Sequence, residues 1–192
     1  MEQEDVLKVL RDSGAFLSGH FKLSSGLHSG NYLQCAALFR FPKPAADLCA
    51  DLVNRIQVAG ISYDCVISPA LGGVLMGYEV ARQAGVPNVF AERDAGNTMT
   101  LRRGFTVEPG QRALVVEDVI TTGGSVKEVI ALVQAAGGIV AAVGSIADRS
   151  RGNADFGVPF FALVQLDFPT FEQSRCPQCA AGVPVEKPGS KK

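Results

Sequence analysis

Apolar positions in this chain first follow a helical period and then fall into short runs broken by glycine. Residues 2–13 place Val6, Leu7, Val9 and Leu10 on one stripe and then meet Gly14, which predicts an amphipathic helix stopped at that point. Residues 16–38 interleave Ser, Gly and His with Phe21, Leu23, Tyr32 and Leu33, the pattern of a hairpin or irregular hood rather than a core element. Over 44–59, Leu48, Leu52, Val53 and Ile56 recur at helical spacing, behind Pro42 and Pro44, which suit a helix's first turn. The punctuation then becomes regular. Strands are predicted at 64–68, 89–92, 113–116, 139–147 and 160–166, with helices at 74–83 and 124–136 and a polar interruption at 93–103. Near-continuous apolar strands spaced by helices argue for an α/β fold whose parallel sheet is covered on both faces.

The 192 residues suit one domain and contain no internal repeat or linker. The expected organisation is an N-terminal helix and hood at 1–40, an α/β core at 41–168 and a C-terminal extension at 169–192. The extension's last ten residues, VPVEKPGSKK, read as loosely ordered. A chain with 47% hydrophobic and 19% charged residues is globular rather than disordered. Its 18 basic and 19 acidic residues speak against a nucleic-acid coat or a membrane-surface protein, which would need a basic excess. The charged start MEQEDVLKVLRD has no apolar signal-peptide region, and the run at 139–147 falls far short of the ~18 residues of a membrane span. The expectation is a cytoplasmic protein with no membrane or nucleic-acid partner. Five cysteines (35, 49, 65, 176 and 179) are an odd count, and three sit in apolar patterns as small buried hydrophobes of a reduced protein.

Residues 113–125, ALVVEDVITTGGS, carry the chemistry. An apolar strand ends in Glu117 and Asp118, and Thr121, Thr122, Gly123, Gly124 and Ser125 then open a helix. Ligands of open parallel sheets bind beyond the carboxyl ends of the strands, so the acids belong at the mouth of a crevice. Hydroxyls, glycines and a helix N-terminus together make a phosphate cradle. No Walker loop and no G-x-G-x-x-G is present, which disfavours nucleotide triphosphate hydrolysis. A bare acid pair before a helix more often just caps it. Acids beside a phosphate cradle otherwise hold hydroxyls or a metal, and a sugar phosphate supplies a phosphate for the cradle and a diol for the carboxylates.

This run resembles the phosphoribosyl-pyrophosphate (PRPP) motif of type I phosphoribosyltransferases. Residues 21–32, FKLSSGLHSGNY, resemble the hood of the orotate branch, and 68–73, SPALGG, resemble its pyrophosphate loop. The stretch Asp148-Arg149 with Arg151-Gly152 resembles the segment after the next core strand. The resemblance implies the type I phosphoribosyltransferase fold: a central, mostly parallel twisted sheet flanked by helices, with a small N-terminal hood. It implies transfer of the phosphoribosyl group from PRPP to orotate, giving orotidine 5'-phosphate and pyrophosphate, in a homodimer with a shared active site. Residues 121–125 would hold the 5-phosphate, and Glu117 and Asp118 the ribose hydroxyls and the charge developing at the anomeric carbon. Ala70, Leu71 and Gly72 would meet the pyrophosphate, while Arg149, Ser24, Tyr32 and Leu33 would meet orotate. Mg2+ would be held mainly by PRPP, with no direct metal ligand assigned in the protein. A phosphoribosyltransferase acting on another base, or a non-catalytic PRPP-binding regulator, are the competing expectations.

Two segments depart from that pattern. Orotate enzymes usually carry a lysine-rich mobile loop, but residues 92–104, ERDAGNTMTLRRG, hold neither lysine nor histidine. Arg93 for the pyrophosphate and Arg102 and Arg103 for catalysis are the cations left, or Arg102 and Arg103 are simply solvated residues of a hairpin. An arginine loop with a C-terminal C-P-x-C resembles a bacterial branch of the family. Cys176 and Cys179 form a single C-x-x-C, short of the four ligands of a zinc site within one chain, so a structural or incidental pair is expected, with a metal shared between subunits as the alternative. His20 and His28 are assigned surface or hydrogen-bonding roles rather than nucleophilic ones.

Overall fold

The structure, a computed structural model, describes residues 1–23 and 25–188. Its frame is a six-stranded sheet in the order β5-β4-β3-β6-β7-β8. Strands β3 (Cys65–Pro69), β4 (Asn88–Arg93), β6 (Arg112–Ile120), β7 (Ile139–Asp148) and β8 (Phe160–Gln165) run parallel, while β5 (Met99–Leu101) folds back antiparallel on β4. Parallel neighbours need crossovers, and helices α3 (Gly73–Ala84) and α4 (Gly124–Ala135) supply them after β3 and β6.

Alternation along the strands separates two cores. Val66, Leu114 and Val116 face helices α1 (Gln3–Asp12), α2 (Pro42–Val58) and α3, whereas Cys65, Ile67, Ala113 and Val115 face α4. Leu48, Leu52 and Ile56 of α2 are fully buried, each contributing about 1.5–3 kcal/mol by leaving water. That burial is why the predicted stripe forms the long helix.

Connections from β3 lead to β4 on one side, and those from β6 lead to β7 and β8 on the other. Strand order therefore reverses between the neighbours β3 and β6, and their carboxyl ends open the crevice where such sheets bind ligands.

Three expectations are corrected. Strand β6 does not end at residue 116: its ladder continues with Glu117 opposite Ser145, Val119 opposite Ala147 and Ile120 opposite Asp148. Backbone pairing is indifferent to the polarity of the side chains, so the acids lie in the strand's last turn of pleat rather than beyond it. The hood is a hairpin of β1 (Phe16–Lys22) and β2 (His28–Leu33) followed by a 3-10 turn at Cys35–Arg40, yet Leu33, Cys35 and Leu38 belong to the main core. The extension contributes strand β9 (Thr170–Phe171), which pairs with β2 as the third strand of a small sheet. The tail is not loose through residue 188: Glu186 N–H donates to His20 O, and Lys22 N–H donates to Glu186 O, both at 2.8 Å. Residues 189–192 lie outside the described residues. No helix among the described residues is long and apolar enough to cross a membrane.

Candidate active site

Adjacent residues of a strand point to opposite faces, and this splits the acid pair. Glu117 turns toward the start of α4, where the Ser125 hydroxyl favours its ionised form. Asp118 turns toward the start of α3: a Cβ added to Gly72 would lie 3.0 Å from its Oδ1, so glycine at 72 is what lets that loop approach the carboxylate. The Val119 N–H donates to Asp118 Oδ1 at 3.0 Å. Neither acid is ion-paired among the described residues. Burial pushes Glu117 up to about 7, helped by the neighbouring Asp118 charge and opposed by the Ser125 hydroxyl. Burial likewise raises Asp118, against the Val119 N–H. Two carboxylates partly removed from water without a cation are poised for a ligand that brings or develops positive charge.

The cradle is built by one left-handed residue. Gly123 has φ +74°, and a Cβ there would meet Phe156 Cε1 at 2.8 Å, so both backbone and space require glycine. Thr121 and Thr122 are exposed, and Thr122 Oγ1 accepts a bond from Gly124 N–H at 3.4 Å. The first turn of α4 holds no acid to satisfy the positive end of its dipole. A phosphate dianion suits that end.

Across the crevice, residues 70–72 join β3 to α3, with a cis peptide between Ala70 and Leu71. Ala70 N–H is fixed to Ala91 O at 2.7 Å, and Leu71 is 87% exposed. Leu71, Gly72 and Asp118 share a cavity of about 650 Å³ with Tyr32, Leu33 and Phe39 of the hood side. Arg149, directly after β7, stacks its guanidinium over Phe168 at 4.5 Å, and its Nε is buried without a partner. Burial works against its positive charge, and no carboxylate among the described residues faces it. An anion is what it lacks.

The structure therefore brings Asp118, Leu71, Gly72, Tyr32 and Leu33 around one cavity, with Glu117 and residues 121–125 on the α4 flank. It does not bring the loop arginines there. Arg93 forms a two-pronged pair with Glu128, both contacts at 2.9 Å, and donates to Asn97 O at 2.8 Å. Arg103 pairs with Glu92 at 3.0 Å, and Arg102 Nε lies 3.9 Å from the same carboxylate. The reason is topological: β4 and β5 form a hairpin at the sheet edge, where Arg102 and Arg103 meet Glu92 of the same hairpin while Arg93 meets Glu128 of α4. Ser24 lies outside the described residues. Cys35 and Phe39 also line the cavity, and nothing in their sequence context signals it, because a 3-10 turn delivers them.

Comparison with known proteins agrees with this geometry. The family described as "Phosphoribosyl transferase domain" matches residues 40–155. The chain is 52% identical over 192 residues to the orotate phosphoribosyltransferase of Caldanaerobacter subterraneus subsp. tengcongensis, covering 100% of both chains. It is 52% identical over 188 residues to that of Carboxydothermus hydrogenoformans, covering 98% of each. Among solved structures, the orotate phosphoribosyltransferase of Aeropyrum pernix is similar with a TM-score of 0.71 and 26% identity, over 84% of this chain and 93% of that one.

Proposed function

The chain belongs to the phosphoribosyl transferase family, and from that premise we infer that its crevice transfers the phosphoribosyl group of PRPP to orotate. The products are orotidine 5'-phosphate and pyrophosphate, and the reaction is a step of pyrimidine biosynthesis. The observation that carries the choice of base is Arg149: a half-buried guanidinium without a counter-ion, beside the hood, suits a base that itself bears a carboxylate.

Residues 121–125 hold the 5-phosphate on the open end of α4. Glu117 and Asp118 hold the ribose hydroxyls. As the bond from the anomeric carbon to pyrophosphate breaks, that carbon gains positive charge, and the two unpaired carboxylates stabilise it in place. A ring nitrogen of orotate forms the new bond and gives its proton to solvent, with no covalent enzyme intermediate. Residues 70–72 offer backbone to the departing pyrophosphate. Tyr32 and Leu33 cover the base and exclude water. The residues present fit Mg2+: PRPP's own oxygens would hold most of the ion, and the Asp118 and Glu117 carboxylates are the hard oxygens at hand beside it. When bound, the ion neutralises the pyrophosphate leaving group. Arg102 and Arg103, exposed and paired with Glu92, serve the pyrophosphate of a neighbouring subunit in a cytoplasmic homodimer; Arg93 joins them only by leaving Glu128.

The test is orotate's ultraviolet absorbance on mixing with the protein, PRPP and Mg2+. Loss that requires both PRPP and the metal is expected. Turnover of adenine, hypoxanthine or uracil instead, or tight PRPP binding with no turnover of any base, overturns the reading. A pH dependence follows from Glu117. Only its ionised form meets the developing charge, so kcat/KM for PRPP falls about tenfold per unit as pH drops below about 7 and is level above it. In Glu117→Gln that limb should flatten; an unchanged limb assigns it to another group.

A further inference from the structure

Four side chains outside the crevice converge on one point. His20 lies on β1 and His28 on β2, on the same face because Lys22, two residues beyond His20, stands opposite His28. Cys176 precedes the single turn α5 (Pro177–Ala180), and Cys179 lies within it. One ligand atom from each, His20 Nε2, His28 Nδ1 and the two Sγ atoms, sits within 4.8 Å of the others. The sequence alone shows only two of these four, which is why it argues against a metal within one chain.

Three of the nitrogen–sulfur distances are close to those of a coordination shell. A tetrahedral zinc site, with Zn–S of about 2.3 Å and Zn–N of about 2.05 Å, has N···S edges of about 3.6 Å and an N···N edge of about 3.3 Å. Here the N···S separations are 3.5 Å (His20 to Cys176), 3.6 Å (His20 to Cys179) and 3.3 Å (His28 to Cys179). The two ring nitrogens are 2.8 Å apart, so an ion needs them to part by about half an ångström. His20 Nδ1 lies 2.8 Å from Val183 O, the outer bond that turns its Nε2 lone pair inward. His20, His28 and Cys176 are buried, and Cys179 is half-buried. Two thiolates balance the charge of one divalent ion, so the burial leaves no net charge unpaired.

We propose that this chain binds one zinc ion through His20, His28, Cys176 and Cys179, in a closed structural site separate from the crevice. Four protein ligands leave no open position for a substrate. On binding, the two thiols release their protons to solvent and the histidines stay neutral. The ion pins the C-terminal extension to the hood, alongside the bond from Gln178 Nε2 to Gly19 O at 2.7 Å and the backbone pairing of Glu186. It thereby steadies the hairpin whose far end carries Tyr32 and Leu33.

The test uses the full-length chain without a histidine tag, saturated with zinc and then dialysed against metal-free buffer. Elemental analysis should return one zinc per chain. Cobalt titrated into the apo-protein should give the intense visible bands of tetrahedral cobalt with thiolate ligands. Cys179→Ser and His28→Asn should each weaken zinc binding at least about 100-fold while circular dichroism stays that of a folded chain, and Cys65→Ala, on β3 outside the cluster, should leave it unchanged. If a variant fails to fold, the cobalt spectrum of the unaltered chain decides. No stoichiometric zinc, an octahedral cobalt spectrum, full binding by both variants, or a Cys176–Cys179 disulfide in freshly purified protein overturns the proposal.

Discussion

Asp118→Asn is expected to lower kcat by about 10²–10³-fold, the cost of removing one group positioned at the charge that develops in a transition state. Asparagine keeps the shape, so the tight approach to Gly72 survives and only the charge is lost. Of the two acids, Asp118 is the one that lines the cavity and lies against the pyrophosphate loop, so its effect should exceed that of Glu117. The same substitution should leave thermal stability level or raised, because it removes a half-buried charge that has no cation to repay its loss of water. Steady-state kinetics together with a melting curve checks both halves. A kcat close to that of the unaltered chain, or a clear fall in Tm, would show that the carboxylate serves the fold rather than the reaction.

Arg149→Ala is expected to raise KM for orotate by at least about 100-fold and to leave KM for PRPP nearly unchanged, since two charge-assisted bonds, each worth about 1.5–3 kcal/mol, go to the base alone. Arg149→Lys should recover little. Lysine keeps the charge but offers neither the planar fork nor the stack on Phe168 seen at 4.5 Å. Initial rates with each substrate varied in turn separate the two constants. Equal shifts in both would mean that Arg149 supports the crevice as a whole and does not recognise the base.

Most of the sheet was legible from residue patterns, because strands buried on both faces read as apolar runs and their crossover helices as stripes such as Leu48, Leu52 and Ile56. The acids and the cradle were legible for a related reason: Glu117, Asp118 and residues 121–125 are contiguous, so local order alone places them at one strand end. Three things were not. The length of β6 depends on backbone bonds to β7, which polar side chains neither make nor forbid. The core role of Leu33, Cys35 and Leu38 depends on how a polar-looking hairpin docks, and nothing in its own alternation states that. The His20, His28, Cys176 and Cys179 cluster joins a pair of histidines to a pair of cysteines about 150 positions further on, a proximity that only the folded chain creates. The loop arginines show the opposite case, a visible charge cluster whose cations pair with Glu92 and Glu128 at the sheet edge.

The small sheet of the hood also has an order in time. Its hairpin, β1 with β2, is among the first segments a ribosome makes, but its third strand is β9, with Thr170 opposite Ser29 and Phe171 opposite His28. Nearly the whole α/β core must therefore be synthesised before the hood's outer edge is covered. A nascent chain carries the open edge of β2 throughout that interval, and closing so long a loop adds an entropic cost that a two-strand hairpin alone does not repay. The wall that carries Tyr32 and Leu33 therefore gains its third strand only after every strand of the core has been made.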